Sequence, residues 1–264
     1  MRIAGDGEYK GELLKGRPNG RGTVIWPDGS SYTGEWIKGQ YHGQGTFIWS
    51  NGDKYEGQWE EDRMHGYGTY VFADWRKYEG EWQNDQMHGY GTYYWPNGEK
   101  YEGYFVNGLY NGWGVYSWPD GKYYEGEWRE AIRQGEGTLT WSNGKYYTGQ
   151  WIEDQREGKG VMAWPDGRKY EGEWKDNLQH GHGRYTFKDG SVFEGPFIDG
   201  RFADRGHFYF PDGSEYKGKL KNGLPYGDGK VLYPDGTEVK ARFENGYAVG
   251  QITCIYPDGS RYKG

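Results

Sequence analysis

Apolar and polar side chains alternate with a period of two in short blocks along this chain, and the blocks recur every 23 residues without an insertion or deletion. Residues two apart on a strand share a face. In Tyr55-Glu56-Gly57-Gln58-Trp59 this sets Tyr, Gly and Trp on one side and Glu and Gln on the other. A second block follows in each repeat: Gly43, Gly45, Phe47 and Trp49 share one face, and Gln44, Thr46 and Ile48 the opposite one. Each repeat therefore reads as two strands. Eleven copies predict an all-β, single-layer antiparallel meander of about 22 strands, a solenoid of hairpins running roughly 105 Å at ~4.8 Å per strand.

The opening ring recurs at Tyr9, Tyr32, Tyr55, Tyr78, Tyr101, Tyr124, Tyr147, Tyr170, Phe193, Tyr216 and Val239, and the chain stops three residues into a twelfth copy at Tyr262. Each repeat closes on Asp-Gly or Asn-Gly, such as Asp28-Gly29 and Asn97-Gly98, with Asp74-Trp75 as the exception. These pairs predict two-residue turns with positive φ at both positions, joining one repeat to the next. The polar stretch from Glu60 to His65 predicts a looser loop inside the repeat. Every face that carries a ring also carries glycine, so a ring of one strand is expected over the bare backbone of its neighbour. A long sheet twists, and the aromatic face is expected to curl into a groove.

Composition modifies this picture in two ways. Leu, Ile, Val and Phe supply only 36 of 264 residues, a level typical of disorder, but 27 Tyr and 14 Trp replace the missing apolar surface. The net charge of −7 argues against nucleic acid, whose phosphates need a basic face. That charge is uneven, with 13 Lys and Arg against 20 Asp and Glu in residues 1–132, and 19 of each in 133–264. Cys254 is alone and no Asn-x-Ser/Thr site occurs, so disulfides and N-glycans are not indicated. With no signal-peptide pattern at the start, the expectation is a cytoplasmic protein.

At Tyr78 through Gly98 the order is Tyr-x-Gly-x-Trp, a polar loop, His-Gly-x-Gly and a closing Asn-Gly. This resembles the MORN repeat, and the resemblance covers essentially all of residues 1–264. It implies a twisted β-meander with an aromatic-lined groove, and a scaffold in cytoskeletal, ciliary or membrane-associated assemblies. It also implies end-to-end dimers in some members and a suggested phosphoinositide contact. Residues 193–264 depart from the pattern at Phe193, Pro196, Asp204, Leu220, Val239, Ala241, Ile252 and Cys254. Terminal copies cap an exposed edge, and a strand edge beside Val239, Ile252 and Ile255 also suits a homodimer contact. Both readings stand for Val239, Ala241, Ile252, Cys254 and Ile255.

Catalysis is not expected. His42, His65, His88 and His180 share one position of the repeat, but equivalent residues lie about 9.6 Å apart, too far for one zinc. No metal and no cofactor is indicated, and paired acids such as Glu79/Glu81 read as solvated charge. One feature suits recognition: Trp26, Trp49, Trp95, Trp118, Trp141 and Trp164 recur on the ring-bearing face before the turns. They predict a partner-binding groove for a helix or an extended peptide. Lys217, Lys219 and Lys221 form an alternating basic set and predict an anionic-lipid contact. Quaternary ammonium binding in aromatic cages is a third reading.

Overall fold

The computed structural model describes residues 1–221 and 223–264. Among them lie 25 strands and one short 3-10 turn at Ala4–Asp6. The surplus over the expected number has simple origins. Short strands Arg2–Ile3 and Arg261–Lys263 flank the repeats, and one repeat strand is split into Arg201–Phe202 and Arg205–Tyr209. The split falls at Asp204, which stands where the other repeats carry a left-handed glycine such as Gly66 (φ 62) or Gly181 (φ 58).

The chain forms two compact parts, residues 1–132 and 133–264. In the first, strands such as Lys54–Glu60, Arg63–Val71, Lys77–Gln83 and Gln86–Tyr94 follow one another as antiparallel neighbours. Their register sets Gly57 against Gly68, Gly68 against Gly80 and Gly80 against Gly91. The second part repeats the scheme, with Gly149, Gly160, Gly172, Gly183 and Gly195 in successive pairs. One continuous row of residues without Cβ therefore crosses each meander.

The turns differ from expectation. The link inside a repeat is the tight one: Glu61-Asp62 (φ 49, 66), Asn84-Asp85 (φ 50, 66) and Asp176-Asn177 (φ 49, 67) put both central residues in the left-handed region, the geometry that matches strand twist. The link between repeats is longer. In Trp49–Asp53 only Gly52 (φ 95) is left-handed, its N–H donating to Trp49 O at 3.0 Å while Trp49 N–H donates to Asp53 O at 2.9 Å. This is a type I turn followed by a glycine bulge. Pro27, Pro96, Pro119 and Pro165 occupy the second position of equivalent turns, where their negative φ suits a type I turn, and with no N–H they cannot close a two-residue turn on the Asp-Gly or Asn-Gly that follows.

The core sits on the ring-bearing face. Tyr32, Tyr55, Tyr78, Tyr101, Tyr147 and Tyr170 are fully buried. Tyr55 lies across Gly68, where an added Cβ would clash with the hydroxyl end of the ring. Its hydroxyl donates to Gln58 O at 2.8 Å, as Tyr32 does to Glu35 O at 2.9 Å and Tyr170 to Glu173 O at 2.7 Å. Burial pushes these phenols well above the ordinary tyrosine range. Each tryptophan four residues on then reaches back one repeat. Trp59 Nε1–H donates to Gly45 O at 3.1 Å, Trp82 to Gly68 O at 3.2 Å and Trp174 to Gly160 O at 3.1 Å. Trp59 stands edge-on between Tyr55 and Tyr32, at 5.0 and 5.5 Å. At ~25 cal/mol per Å2, burying one such ring contributes about 4–6 kcal/mol before entropy is counted. A single layer thus obtains a core from ring on glycine and ring on ring.

Candidate protein-interaction faces

The six tryptophans expected to bind a partner are half-buried at the start of the inter-repeat turns. In the first half they belong to a continuous row. Trp26, Phe47, Trp49, Tyr70 and Phe72 follow at centroid separations of 5.6, 4.5, 5.2 and 4.5 Å. Tyr93, Trp95, Tyr116 and Trp118 continue at 6.0, 4.6, 5.4 and 4.6 Å. The tyrosines of this row are fixed by the residue after each turn glycine: Tyr70 donates to Asp53 at 2.9 Å and Tyr116 to Glu99 at 2.8 Å. In the second half Leu139 and Met162 occupy the positions of those linking rings. Lysines lie over Trp118 (Lys122, 3.9 Å) and Trp141 (Lys145, 3.9 Å), and Arg168 lies over Trp164 at 5.3 Å.

Trp75, which breaks the Asp/Asn-Gly series, takes the turn-glycine conformation at φ 70 and is 80% exposed. A left-handed tryptophan is strained, and strain of this kind clusters at functional positions. Its only sequence signal is the broken pair itself.

On the opposite face the four alternating positions per repeat are largely polar. Here an acid or amide of the first strand accepts the backbone N–H across the bulge: Gln58 from Tyr67 at 2.8 Å, Glu81 from Tyr90 at 2.9 Å and Gln150 from Lys159 at 3.1 Å. The hollows open on this side, over the glycine rows. One of about 500 Å3 in the first half is lined by Arg21, Thr23, Thr33, Glu35, Gln44 and Glu56. One of about 610 Å3 in the second half is lined by His182, Arg205, His207, Lys217, Lys219 and Asp228. Of the three lysines expected to meet anionic lipid, Lys217 and Lys219 line this hollow, while Lys221 lies 5.1 Å over Tyr226.

The repeat's histidine position serves the turns. His65 lies 3.4 Å from Glu60, and the residues that replace it bond forward: Gln134 accepts from Glu153 N at 3.2 Å and Glu157 from Asp176 N at 3.2 Å. In the final copies Ala241 is buried, and Val239, Ile252, Cys254 and Ile255 are half-buried. The strand carrying Ile252, Cys254 and Ile255 is not an open edge. Cys254 pairs with Tyr262 and Ile255 with Arg261, and Ile252 N–H donates to Gly264 O at 2.8 Å.

Two-stranded units of fixed length, bonded ring to glycine and repeat to repeat, define a β-hairpin repeat protein. The sequence profile of the MORN repeat matches nine stretches, 9–31, 32–54, 55–75, 78–100, 101–123, 124–146, 147–167, 170–192 and 216–238. The chain belongs to the MORN repeat family. The unmatched copies, 193–215 and 239–264, hold most of the departures noted above. Comparison with curated proteins gives no match. Among solved structures, similarity extends to the SAS-4 (dCPAP) TCP domain of Drosophila melanogaster in complex with a proline-rich motif of Ana2 (dSTIL). It is 14% identical, covering 67% of this chain and 83% of that one, with a TM-score of 0.32. The TCP10 domain of Danio rerio CPAP, in complex with a peptide of Danio rerio STIL, is 16% identical over 97% of each chain, with a TM-score of 0.26. At such scores the likeness carries no argument about this chain. No helix among the described residues is long and apolar enough to cross a membrane.

Proposed function

We propose that the protein is a non-catalytic scaffold that holds a segment of a partner protein against its aromatic row, in a cytoskeletal, ciliary or membrane-associated assembly. The observation that carries this reading is the unbroken series of nine rings from Trp26 to Trp118, most of them half-buried. Half-covered rings leave apolar area that a partner can bury, and aromatic anchors dominate binding energy at interfaces. An amphipathic helix or an extended strand suits such a strip. The test is the double variant Trp49→Ala/Trp95→Ala. Crosslinking and mass spectrometry on the native assembly should show at least tenfold loss of partner crosslinks along the row, with the sheet signature in circular dichroism retained. Undiminished crosslinking would remove the row from the proposal.

A second reading concerns the basic hollow. Arg205 stands directly opposite Lys219, and Lys217 opposite Lys230; like charges so placed are destabilising. An anionic headgroup, phosphoinositide included, would relieve them. Flotation with phosphoinositide vesicles should be lost in Lys217→Glu/Lys219→Glu, and equal flotation of the variant would end this reading. For Val239 and Ala241, whose strand pairs with Tyr247–Ile255, and for Ile252, Cys254 and Ile255, whose strand pairs with Arg261–Lys263, these pairings favour capping over self-association.

A further inference from the structure

On the polar face of the first half one row of positions crosses the strands from Lys54–Glu60 to Tyr123–Arg129 and reads Gln58, Tyr67, Glu81, Tyr90, Tyr104, Trp113 and Glu127. Four of the seven are aromatic, on the side where the repeat places solvated charge. They are open to solvent: Tyr67 is 61% exposed, Tyr90 46%, Tyr104 52% and Trp113 48%. They also adjoin, since Tyr90 pairs with Tyr104 across the strands with centroids 5.5 Å apart. Tyr104 takes the place of the acid or amide that elsewhere receives the bulge N–H, so a ring replaces a stabilising acceptor. Exposed rings on this side, one of them standing in for a stabilising acceptor, indicate a surface kept for contact.

The charge around the rings says what they contact. The flanking row carries Glu56, Glu79, Glu102 and Glu125, which with Glu81 and Glu127 makes six carboxylates on this face. Three lysines reach in from the margin, Lys54 to Glu56, Lys77 to Glu79 and Lys100 to Glu102, each at 2.8 Å. The balance stays negative. Glu102 also accepts from Tyr90 Oη at 3.1 Å, and these two donors hold its carboxyl below the usual range. Elsewhere the chain supplies its own cations to rings, as with Lys122 on Trp118 and Arg156 on Trp174 at 4.7 Å. Among the described residues none stacks on Tyr67, Tyr90, Tyr104 or Trp113.

We infer that this face docks an extended, Arg- or Lys-bearing segment of another protein, its cations stacked on the four rings and neutralised by the flanking carboxylates. Guanidinium and ammonium groups bind ring faces and carboxylates together. Four strand spacings from Tyr67 to Trp113 amount to ~19 Å, the reach of about six extended residues. The site is separate from the aromatic row of the inner face.

The test is calorimetric titration of the whole chain with the synthetic peptide acetyl-(Arg-Ser)4-amide, against a Glu-Ser peptide of equal length. The expected result is binding of the arginine peptide alone. Tyr90→Gln/Tyr104→Gln/Trp113→Gln should weaken it at least tenfold, while Trp49→Ala/Trp95→Ala leaves it unchanged, so that this site and the inner row stand or fall apart. Tyr104→Glu restores the residue type of neighbouring repeats and adds a negative charge. Attraction by charge alone would tighten with it, whereas docking on rings must weaken. Equal affinity for both peptides, or undiminished binding by the triple variant and by Tyr104→Glu, overturns the proposal.

Discussion

Across the polar face of the first half, Tyr67, Tyr90, Tyr104 and Trp113 stand among carboxylates; at the equivalent positions of the second half stand Lys159, His182, Pro196 and Arg205, with Lys217 and Lys219 beside them. Beneath both lies the same framework of paired glycines, buried opening rings and backward-reaching indoles. The contrast separates two kinds of position. Those that hold a repeat together barely change, because a ring must fit on a bare α-carbon and an indole must find a carbonyl. Those on the far side of the sheet touch little of the framework, so their chemistry can be aromatic and acidic in one half and basic in the other.

The framework can be attacked in both halves alike. Gly68→Ala and Gly160→Ala each force a Cβ into a buried tyrosine ring, Tyr55 and Tyr147 respectively. Both are expected to cost about 3–5 kcal/mol, as displacing a core aromatic does, read as equal losses in denaturant midpoint. Unequal losses would break the claim that the framework is common. Next comes Trp59→Phe, which removes the donor to Gly45 O and part of the buried ring; the lost hydrogen bond and apolar contact together should cost about 1–3 kcal/mol. A smaller effect of opposite sign is expected at the irregular turn. Trp75→Gly relieves a left-handed side chain and should stabilise by about 1 kcal/mol, measured as a raised Tm.

The smallest effect sharpens the contrast by pH. Turn aspartates Asp166, Asp189, Asp212, Asp235 and Asp258 of the second half are held below the usual carboxylate range by hydrogen bonds to the residue two positions on. In the first half Asn51 and Asn97, which do not titrate, occupy two such positions, and Asp28 and Asp53 are depressed. A depressed folded pKa contributes stability above the unfolded value, about 3.9 for Asp, and loses it as pH falls through the folded one. Hydrogen exchange below about pH 4 should therefore show residues 133–264 opening before 1–132. Simultaneous opening would count against this.

Much of the framework was legible because alternation and a fixed period report which residues share a face. Tyr55, Gly57 and Trp59 could be placed together, and the ring-on-glycine contact followed from the absence of any other core. The turns were misread. Asp-Gly alone suggests a doubly left-handed turn, but proline before Asp28, Asp120 and Asp166 forbids it, and that signal was available. The indole bonds were not legible, since periodicity does not say which carbonyl lies beneath a ring. The exposed rings at Tyr67, Tyr90, Tyr104 and Trp113 were legible in principle, since the alternation that sets Gln44 and Gln58 on the polar face sets them there too, but their solvent exposure and the contact of Tyr90 with Tyr104 were not.

The indoles four residues after each opening tyrosine, Trp36, Trp59, Trp82, Trp128, Trp151 and Trp174, donate to the repeat immediately before their own, and the opening hydroxyls, such as those of Tyr32, Tyr55 and Tyr170, stay within theirs. A link cut out whole should therefore heal. Excising residues 55–77 would bring Trp82 over Gly45 and let Tyr78 follow Asp53-Lys54 with no donor stranded and no ring bared, since each copy recognises only its neighbours. The same economy lets such a chain lengthen or shorten by whole links, changing how many contact positions it displays while the stitching between them stays as it was.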